Sequence, residues 1–172
     1  YPGSMAADNK GHLFSFTSDG KLVCLDADTG KQRFVLLEKG TGGGIRVYYD
    51  KYVIACGKVF AAEDGKTLWT LPAAGGEYAG YQGVVDGEAI YYCDGKTLKI
   101  GNLADGKLQT VTLNFLPLDM NWRYDGGMVF SGRHLLIYPG GGRTLFSVDR
   151  TSGKLLWTWT APWPAEELWG GP

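Results

Sequence analysis

The chain has 172 residues, enough to bury a hydrophobic core of its own. Hydrophobic residues make up 44% and charged residues 20%, proportions that are ordinary for a folded globular protein. The net charge of −1 gives no basis for binding nucleic acid or another polyanion. No apolar run approaches the ~20 residues that a transmembrane helix needs, so the chain is not expected to cross a membrane.

The first part of the chain predicts four short strands joined by tight turns rich in glycine, asparagine and aspartate. These strands are 4–8, 13–17, 22–26 and 32–37. The same order recurs three more times, and no helical periodicity longer than two turns interrupts it. We therefore predict an all-β chain with one domain of four units, each a four-stranded antiparallel sheet. The units cover approximately residues 1–38, 44–72, 81–114 and 126–161.

A Gly-Lys pair marks the third turn of every unit. The four pairs are Gly30-Lys31, Gly65-Lys66, Gly106-Lys107 and Gly153-Lys154. They recur at intervals of roughly 40 residues, and a strand-only repeat of that length is typical of the blades of a β-propeller.

The three cysteines, Cys24, Cys56 and Cys93, each fall within a predicted strand, and none has CxxC spacing. Their odd number leaves at least one thiol unpaired. We predict that they are buried as small apolar residues.

Two stretches resemble a known repeat: CLDADTGKQRF at 24–34 and SVDRTSGKLLW at 147–157. Both are similar to the pattern Ala-x-Asp-x-x-Thr-Gly-x-x-x-Trp of the quinoprotein propellers, the pyrroloquinoline quinone (PQQ)-like repeat family. The resemblance implies that Asp26 and Asp149 belong to blade-docking turns. It also implies that the last aromatic residue lies flat over the neighbouring blade, which would bury Trp69 and Trp157 between blades.

The repeat is matched unevenly. Phe34 replaces the tryptophan in the first blade, and Gln109 and Thr110 stand where the aromatic residue would be in the third. The third blade is therefore expected to have the weakest docking of the four, because burial of an aromatic ring contributes a few kcal/mol.

The family resembled here consists of eight-bladed rings, so four blades imply a half or a segment of such a ring. An open half ring would expose one apolar sheet face of the first blade and one of the last blade. We therefore expect either two copies that meet as one ring, or four further blades on another part of the chain or on a second chain.

Catalytic members of the family need an adjacent cysteine pair, a calcium-binding set and an aspartate base. This chain has no Cys-Cys pair. We therefore expect no catalytic residue, no cofactor and no metal, and we favour a non-catalytic binding or scaffolding propeller, periplasmic or extracellular as its relatives are. Two alternatives stay open: a segment of a PQQ-dependent oxidoreductase whose cofactor site lies elsewhere, and a carbohydrate-binding propeller.

Two further groups of residues include side chains that can bind metals. Asp26 and Asp28 faintly resemble a calcium loop, but Gln32 and Arg33 follow where further oxygen ligands would be needed. His12 and His134, the only histidines, have no visible converging partners and are predicted to be surface turn residues.

One face of the predicted propeller collects the loops that join consecutive blades. Its candidate rim residues are Arg46, Glu77, Tyr78, Tyr81, Trp122 and Arg123. Arginine and aromatic side chains are the usual anchors of protein interfaces, so this rim is the candidate surface for a protein partner. The alternative is that they are ordinary loop residues. The long aromatic connector 114–125 is either a plug packed over an adjacent blade, which we favour, or part of a binding rim.

Overall fold

The computed structural model describes residues 4–40, 44–72, 83–116, 127–138 and 143–162, which form sixteen strands in four sheets. Blade one contains β1 Met5–Ala7, β2 His12–Phe16, β3 Leu22–Asp26 and β4 Gln32–Leu37. Blade two contains β5 Arg46–Tyr48, β6 Tyr52–Ala55, β7 Lys58–Ala61 and β8 Thr67–Thr70. Blade three contains β9 Val84–Asp86, β10 Ala89–Asp94, β11 Thr97–Asn102 and β12 Leu108–Thr112. Blade four contains β13 Gly127–Ser131, β14 His134–Tyr138, β15 Thr144–Asp149 and β16 Leu155–Thr160.

Within each blade the strands lie side by side in chain order, and all their pairings are antiparallel. The predicted fold class, four sheets of four antiparallel strands, is confirmed.

The third turn of a blade is shaped by its own polar side chains. In blade one, Oδ1 of Asp26 accepts hydrogen bonds from the backbone N–H and the hydroxyl of Thr29, at 2.9 and 2.8 Å. Asp149 binds the N–H and hydroxyl of Ser152 in the same way, at 3.0 and 2.9 Å. Gly30 follows with a φ of 69°, a left-handed conformation that glycine adopts without a steric cost. The turn motif therefore follows from local sequence alone.

Three apolar clusters join consecutive blades. The first combines Phe14, Leu22 and Leu36 of blade one with Val53, Ala55 and Phe60 of blade two. The second combines Ile54, Val59 and Leu71 of blade two with Ile90, Tyr92 and Leu103 of blade three. The third combines Leu98, Leu113 and Leu116 with Leu135, Ile137 and Val148 of blade four. Among the described residues, none of these clusters combines the first blade with the last.

In blades one to three a cross-strand row of four residues faces the next blade, and we call this row, with its equivalent in blade four, the front row. It contains Ala6, Phe14, Cys24 and Phe34 in blade one. It contains Arg46, Ile54, Val59 and Trp69 in blade two. It contains Val84, Tyr91, Ile100 and Gln109 in blade three. It contains Val129, Leu136, Ser147 and Trp157 in blade four.

The last residue of the front row lies over the turn glycine of the next blade. A methyl group on Gly106 would lie 2.8 Å from Cγ of Trp69, and one on Gly65 would lie 2.7 Å from Cδ2 of Phe34. Trp69 also donates a hydrogen bond from Nε1 to the carbonyl oxygen of Leu103, at 3.0 Å. Glycine is thus required at this position for two reasons: its φ is positive, and a Cβ would collide with the ring that covers it.

Blade three makes this contact differently. A register shift occurs between the last two strands of blades one, two and four, whereas β11 and β12 pair without one. The exposed Gln109 therefore takes the last place of the front row. Val111, two residues further along β12, contacts the position that a methyl group on Gly153 would occupy. An aliphatic side chain thus covers the last turn instead of an aromatic ring.

The expectation that Trp157 is buried between blades is wrong in this chain. Its side chain stands at the predicted place in the front row but is 42% exposed. The physical reason is that no blade among the described residues follows blade four and covers it. Trp69, by contrast, is half-buried and packs against the cluster between blades two and three.

Replacing Trp69 by alanine should lower the free energy of unfolding by about 3–5 kcal/mol. The change removes a packed indole and its hydrogen bond from the interface between blades two and three, and we call such an interface between consecutive blades a seam. Gln109→Ala is the matched control at the equivalent row position, and its exposed side chain should contribute less than about 0.5 kcal/mol. Denaturant melts of the two variants test this. Equal losses of stability would contradict the docking role of the row's last residue.

Candidate interaction surfaces

The front face of blade four is an apolar sheet surface open to solvent. We call it the blade-four face and define it by the front row Val129, Leu136, Ser147 and Trp157, with Leu145 and Trp159 beside it. Val129 is 56% exposed and Trp159 49% exposed. The matching places in the first two blades are less exposed: Ala6 and Arg46, which match Val129, and Phe34 and Trp69, which match Trp157, are half-buried.

Polar contacts join the strands of the blade-four face to one another. The hydroxyl of Ser147 is fully buried and lies 2.8 Å from Nδ1 of His134 on the neighbouring strand. Arg143 donates a hydrogen bond to the carbonyl oxygen of Ala161 at 2.6 Å, which fastens the outer strand β16 to β15 at its far end. Exposed tryptophans on a rigid sheet are the side chains that most often anchor a protein interface.

The sequence predicts an exposed apolar face on the last blade but does not single out Val129 or Trp159. The available signal was the alternation of Trp157 and Trp159, since residues two apart in a strand lie on the same face. This alternation does not indicate whether the two side chains are exposed. Trp69 and Leu71 of blade two alternate in the same way and pack in the cluster between blades two and three.

The predicted rim falls mostly outside the described residues. Of its members, Arg46 is described: it is half-buried on β5 and donates a hydrogen bond to the carbonyl oxygen of Gly83 at 2.9 Å. It thus ties blade two to the first residues of blade three. Glu77, Tyr78, Tyr81, Trp122 and Arg123 lie outside the part of the chain that the structure describes.

The prediction that His12 is a surface turn residue is wrong. His12 is 7% exposed, and its Nδ1 lies 2.6 Å from Oδ2 of Asp8, whose side chain is inaccessible to solvent. Oδ1 of Asp8 also accepts the backbone N–H groups of Lys10 and His12, at 2.8 and 2.9 Å. Burial opposes ionisation of Asp8, but these hydrogen bonds outweigh it and the pKa of the carboxyl lies below its ordinary value of 3.8.

The faint calcium loop is a turn. Arg33 donates to Oδ2 of Asp26 at 2.5 Å, and together with the bonds from Thr29 this holds the pKa of Asp26 well below its usual range. Among the residues that the structure describes, no three histidine, cysteine, aspartate or glutamate side chains converge into a metal-binding group.

The three cysteines are free thiols. Burial raises the pKa of Cys24 to about 11 and that of Cys93 to about 12, so neither is ionised at neutral pH. Cys24 is fully buried between blades one and two, as predicted for a small apolar residue. For the other two the prediction of burial is wrong: Cys56 and Cys93 are half-buried, and Cys56 lies in the turn that follows β6, not in a strand.

Asp8→Asn should destabilise the chain at pH 7 by about 1–3 kcal/mol, since it removes a charged acceptor from an inaccessible site. Because the pKa of Asp8 is lower in the folded chain than unfolded, its stabilisation is complete above pH 3.8 and disappears as the pH falls through the folded pKa. Melts from pH 2 to 7 should show wild type and variant converging at the acid end. The exposed Asp28→Asn is the control, and a constant gap at all pH values would contradict the assignment.

Iodoacetamide at pH 8 should alkylate Cys24 roughly 100-fold and Cys93 roughly 1000-fold more slowly in the folded chain than in denaturant. Burial raises the two pKa values from 9.0 to about 11 and about 12, and the thiolate fraction falls about tenfold per unit of pKa. Peptide mapping by mass spectrometry measures both rates in one sample. Equal rates in the folded and unfolded chain would show that these thiols are accessible and ionisable.

The described part of the chain contains no helix long and apolar enough to span a bilayer. A search of curated proteins found no match.

Several solved β-propellers share the fold. The crystal structure of BamB from Moraxella catarrhalis superposes with a TM-score of 0.63 at 20% identity, covering 91% of this chain and 49% of that one. The Hsv2 propeller of Kluyveromyces lactis superposes with a TM-score of 0.66 at 9% identity, over 92% and 50%. A europium-containing methanol dehydrogenase superposes with a TM-score of 0.64 at 16% identity, over 93% and 41%. The chain therefore has the β-propeller fold and spans about half the length of these structures.

A family model described as outer membrane protein assembly factor BamB matches residues 2–112, which is more than half of the chain. This match agrees with the Gly-Lys turns, the aspartates beside them and the aromatic seams. The chain belongs to the BamB family of PQQ-like β-propellers.

Proposed function

We propose that this chain belongs to a non-catalytic scaffold that binds another protein during outer membrane protein assembly, in an extracytoplasmic compartment. The family description supports the assembly role. The scaffold role is supported by three rigid, apolar seams that hold the blades in a fixed arrangement and leave the connecting loops to carry contacts.

The observation that carries the proposal is that both histidines, and two of the described aspartates, make hydrogen bonds within the fold. Asp8 and His12 bind each other beside the first turn, and Asp26 is held by Arg33. His134 is bound to a buried hydroxyl of its own sheet. General acid–base catalysis needs such groups in hydrogen-bonding reach of a substrate, whereas here they fasten turns and neighbouring strands.

The proposed partner surface is the rim formed by the blade connectors. Its members are Arg46, Tyr78, Tyr81, Trp122 and Arg123. Through its hydrogen bond to Gly83, Arg46 fixes the point where the connector between blades two and three enters the next blade. Aromatic and arginine side chains on loops of a rigid framework are the composition of protein-binding hot spots.

Addition of PQQ with Ca²⁺ tests the enzyme alternative. We expect no change in quinone absorbance on titration and no reduction of an artificial electron-acceptor dye with alcohol or sugar substrates. Saturable quinone binding with dye reduction would overturn the proposal and favour a quinoprotein oxidoreductase.

Site-specific photocrosslinking in the source cell tests the partner. A benzoylphenylalanine at Tyr81 or at Trp122 should capture a component of outer membrane protein assembly, identified by mass spectrometry. The same group at Lys154, an exposed residue in a turn between the third and fourth strands of a blade, is the matched control. No capture at the rim, or equal capture at Lys154, would contradict the proposal. Glycan-array binding that is lost in Trp122→Ala would favour a carbohydrate-binding propeller instead.

A further inference from the structure

The last strand of each blade has a free edge. In every sheet this strand pairs with the third strand, and its other side presents backbone N–H and C=O groups that no described strand binds. An open edge of this kind can pair with an extended segment of another chain, and natural proteins obstruct it with bulges and charged side chains. The four edges of this chain differ in these obstructions.

Three of the four edges are obstructed. Register shifts interrupt the pairing of β4, β8 and β16 with the third strand of their blades, and such shifts bend a strand and increase its twist. In addition, β4 contains the charged Arg33, which forms an ion pair with Asp26 of the neighbouring strand. These three strands are therefore poor partners for a regular ladder of hydrogen bonds.

The edge of blade three is not obstructed. β12 pairs with β11 over its whole length without a register shift. No charged side chain occurs between Leu108 and Leu116. Four of the five residues of β12 are exposed, so its side chains are not covered by the neighbouring blades. A regular, uncharged and exposed strand is the kind of edge that accepts another strand.

Two hydrogen bonds identify the backbone groups of β12 that face β11. The N–H of Asn102 donates to the carbonyl oxygen of Lys107 at 2.9 Å, and the N–H of Leu113 donates to that of Lys96 at 2.7 Å. Bonded and non-bonded pairs alternate along an antiparallel ladder. Every second residue from Lys107 to Leu113 therefore turns its backbone groups toward β11.

The residues between them turn their backbone groups toward the free edge. They are Leu108, Thr110 and Thr112. Their N–H and C=O groups form a regular row of donors and acceptors, and the backbone of an extended peptide presents the complementary row. The chemistry of this edge therefore fits another β-strand.

A cavity of about 290 Å³ lies beside the same strand. Its lining includes the apolar residues Ala89, Ile100 and Leu108 and the amide-bearing residues Asn102 and Gln109. Gln109 holds the last place of the front row, which an aromatic ring holds in the first two blades. A side chain directly opposite Gln109 on an added strand would lie on the same face of the sheet, next to this cavity.

We propose that the free edge of β12 binds an extended, uncharged segment of another protein, which adds to blade three as a fifth strand. The backbone of the segment pairs with Leu108, Thr110 and Thr112, and an apolar side chain opposite Gln109 enters the cavity. The uncharged stretch from Leu108 to Leu116 selects a segment without charged residues at its centre, because a charge buried there would have no partner. This edge is separate from the connector rim, so binding here does not depend on the proposed partner surface.

Fluorescence anisotropy with the 172-residue chain tests the binding. The probe is a fluorescein-labelled peptide in which threonine alternates with valine and phenylalanine, with one lysine at each end for solubility. We expect saturable binding at micromolar peptide concentrations. A peptide of the same sequence with methylated backbone nitrogens cannot donate hydrogen bonds to β12 and should bind at least about tenfold more weakly.

Thr110→Pro tests the edge from the side of the protein. The substitution removes an N–H that points away from β11, and proline is tolerated where the N–H of an edge strand faces solvent. The variant should bind the probe at least about tenfold more weakly, and circular dichroism checks that it is folded. Thr110→Val keeps the backbone and the branched side chain, and this matched control should bind within about twofold of the wild type.

Amide hydrogen exchange measured by NMR locates the bound strand. In the free chain the N–H of Thr110 should exchange faster than those of Gln109 and Val111, and the peptide should slow exchange at Leu108, Thr110 and Thr112. Four results would each overturn the proposal. These are no saturable binding, equal binding of the methylated peptide or by Thr110→Pro, protection at the edge of another blade, and a dimer of the chain that Thr110→Pro dissociates.

Discussion

The packing of each blade on the next depends on a large side chain that lies over a glycine in the next blade's third turn. Trp69 can approach the backbone of the next blade because Gly106 carries no Cβ, and the indole then reaches the carbonyl oxygen of Leu103. The same glycine is in the left-handed region, so the turn that admits the ring is also the turn that reverses the chain. One residue thus joins local chain reversal to packing between sheets.

The polar groups of the chain serve this arrangement. Asp26 and Asp149 accept hydrogen bonds from the N–H and hydroxyl groups of their own turns, and the glycine that follows each turn is in the left-handed conformation. In blade four this glycine is Gly153, which Val111 covers. These polar side chains find their partners within a few residues of the chain. The Asp8–His12 pair follows the same rule at the first turn of blade one. These groups have perturbed environments because they stabilise turns, and such perturbation by itself does not mark an active site.

Each interface between consecutive blades uses the front of one blade and the back of the next. Among the described residues, no neighbouring blade lies against the front of blade four or the back of blade one. Trp157 of blade four stands at the row position of Trp69, and no heavy atom lies within 4 Å of a methyl group built on Gly30 of blade one.

The repeat, the strand-only fold and the turns can be predicted from the sequence, because these depend on residues close together in the chain. Glycine at a left-handed turn, an aspartate four residues before it and alternating apolar residues act within single hairpins. What each residue of the front row packs against cannot be predicted in this way, because it depends on how whole sheets are arranged. The sequence placed Trp157 in the right row but not in the right environment, since burial depends on whether another blade lies opposite. It missed Val111, because the register shift that blade three lacks is a property of two paired strands. It also misplaced His12, whose burial comes from its contacts with Asp8 and with the aromatic residues of its own sheet, Phe14 and Phe34.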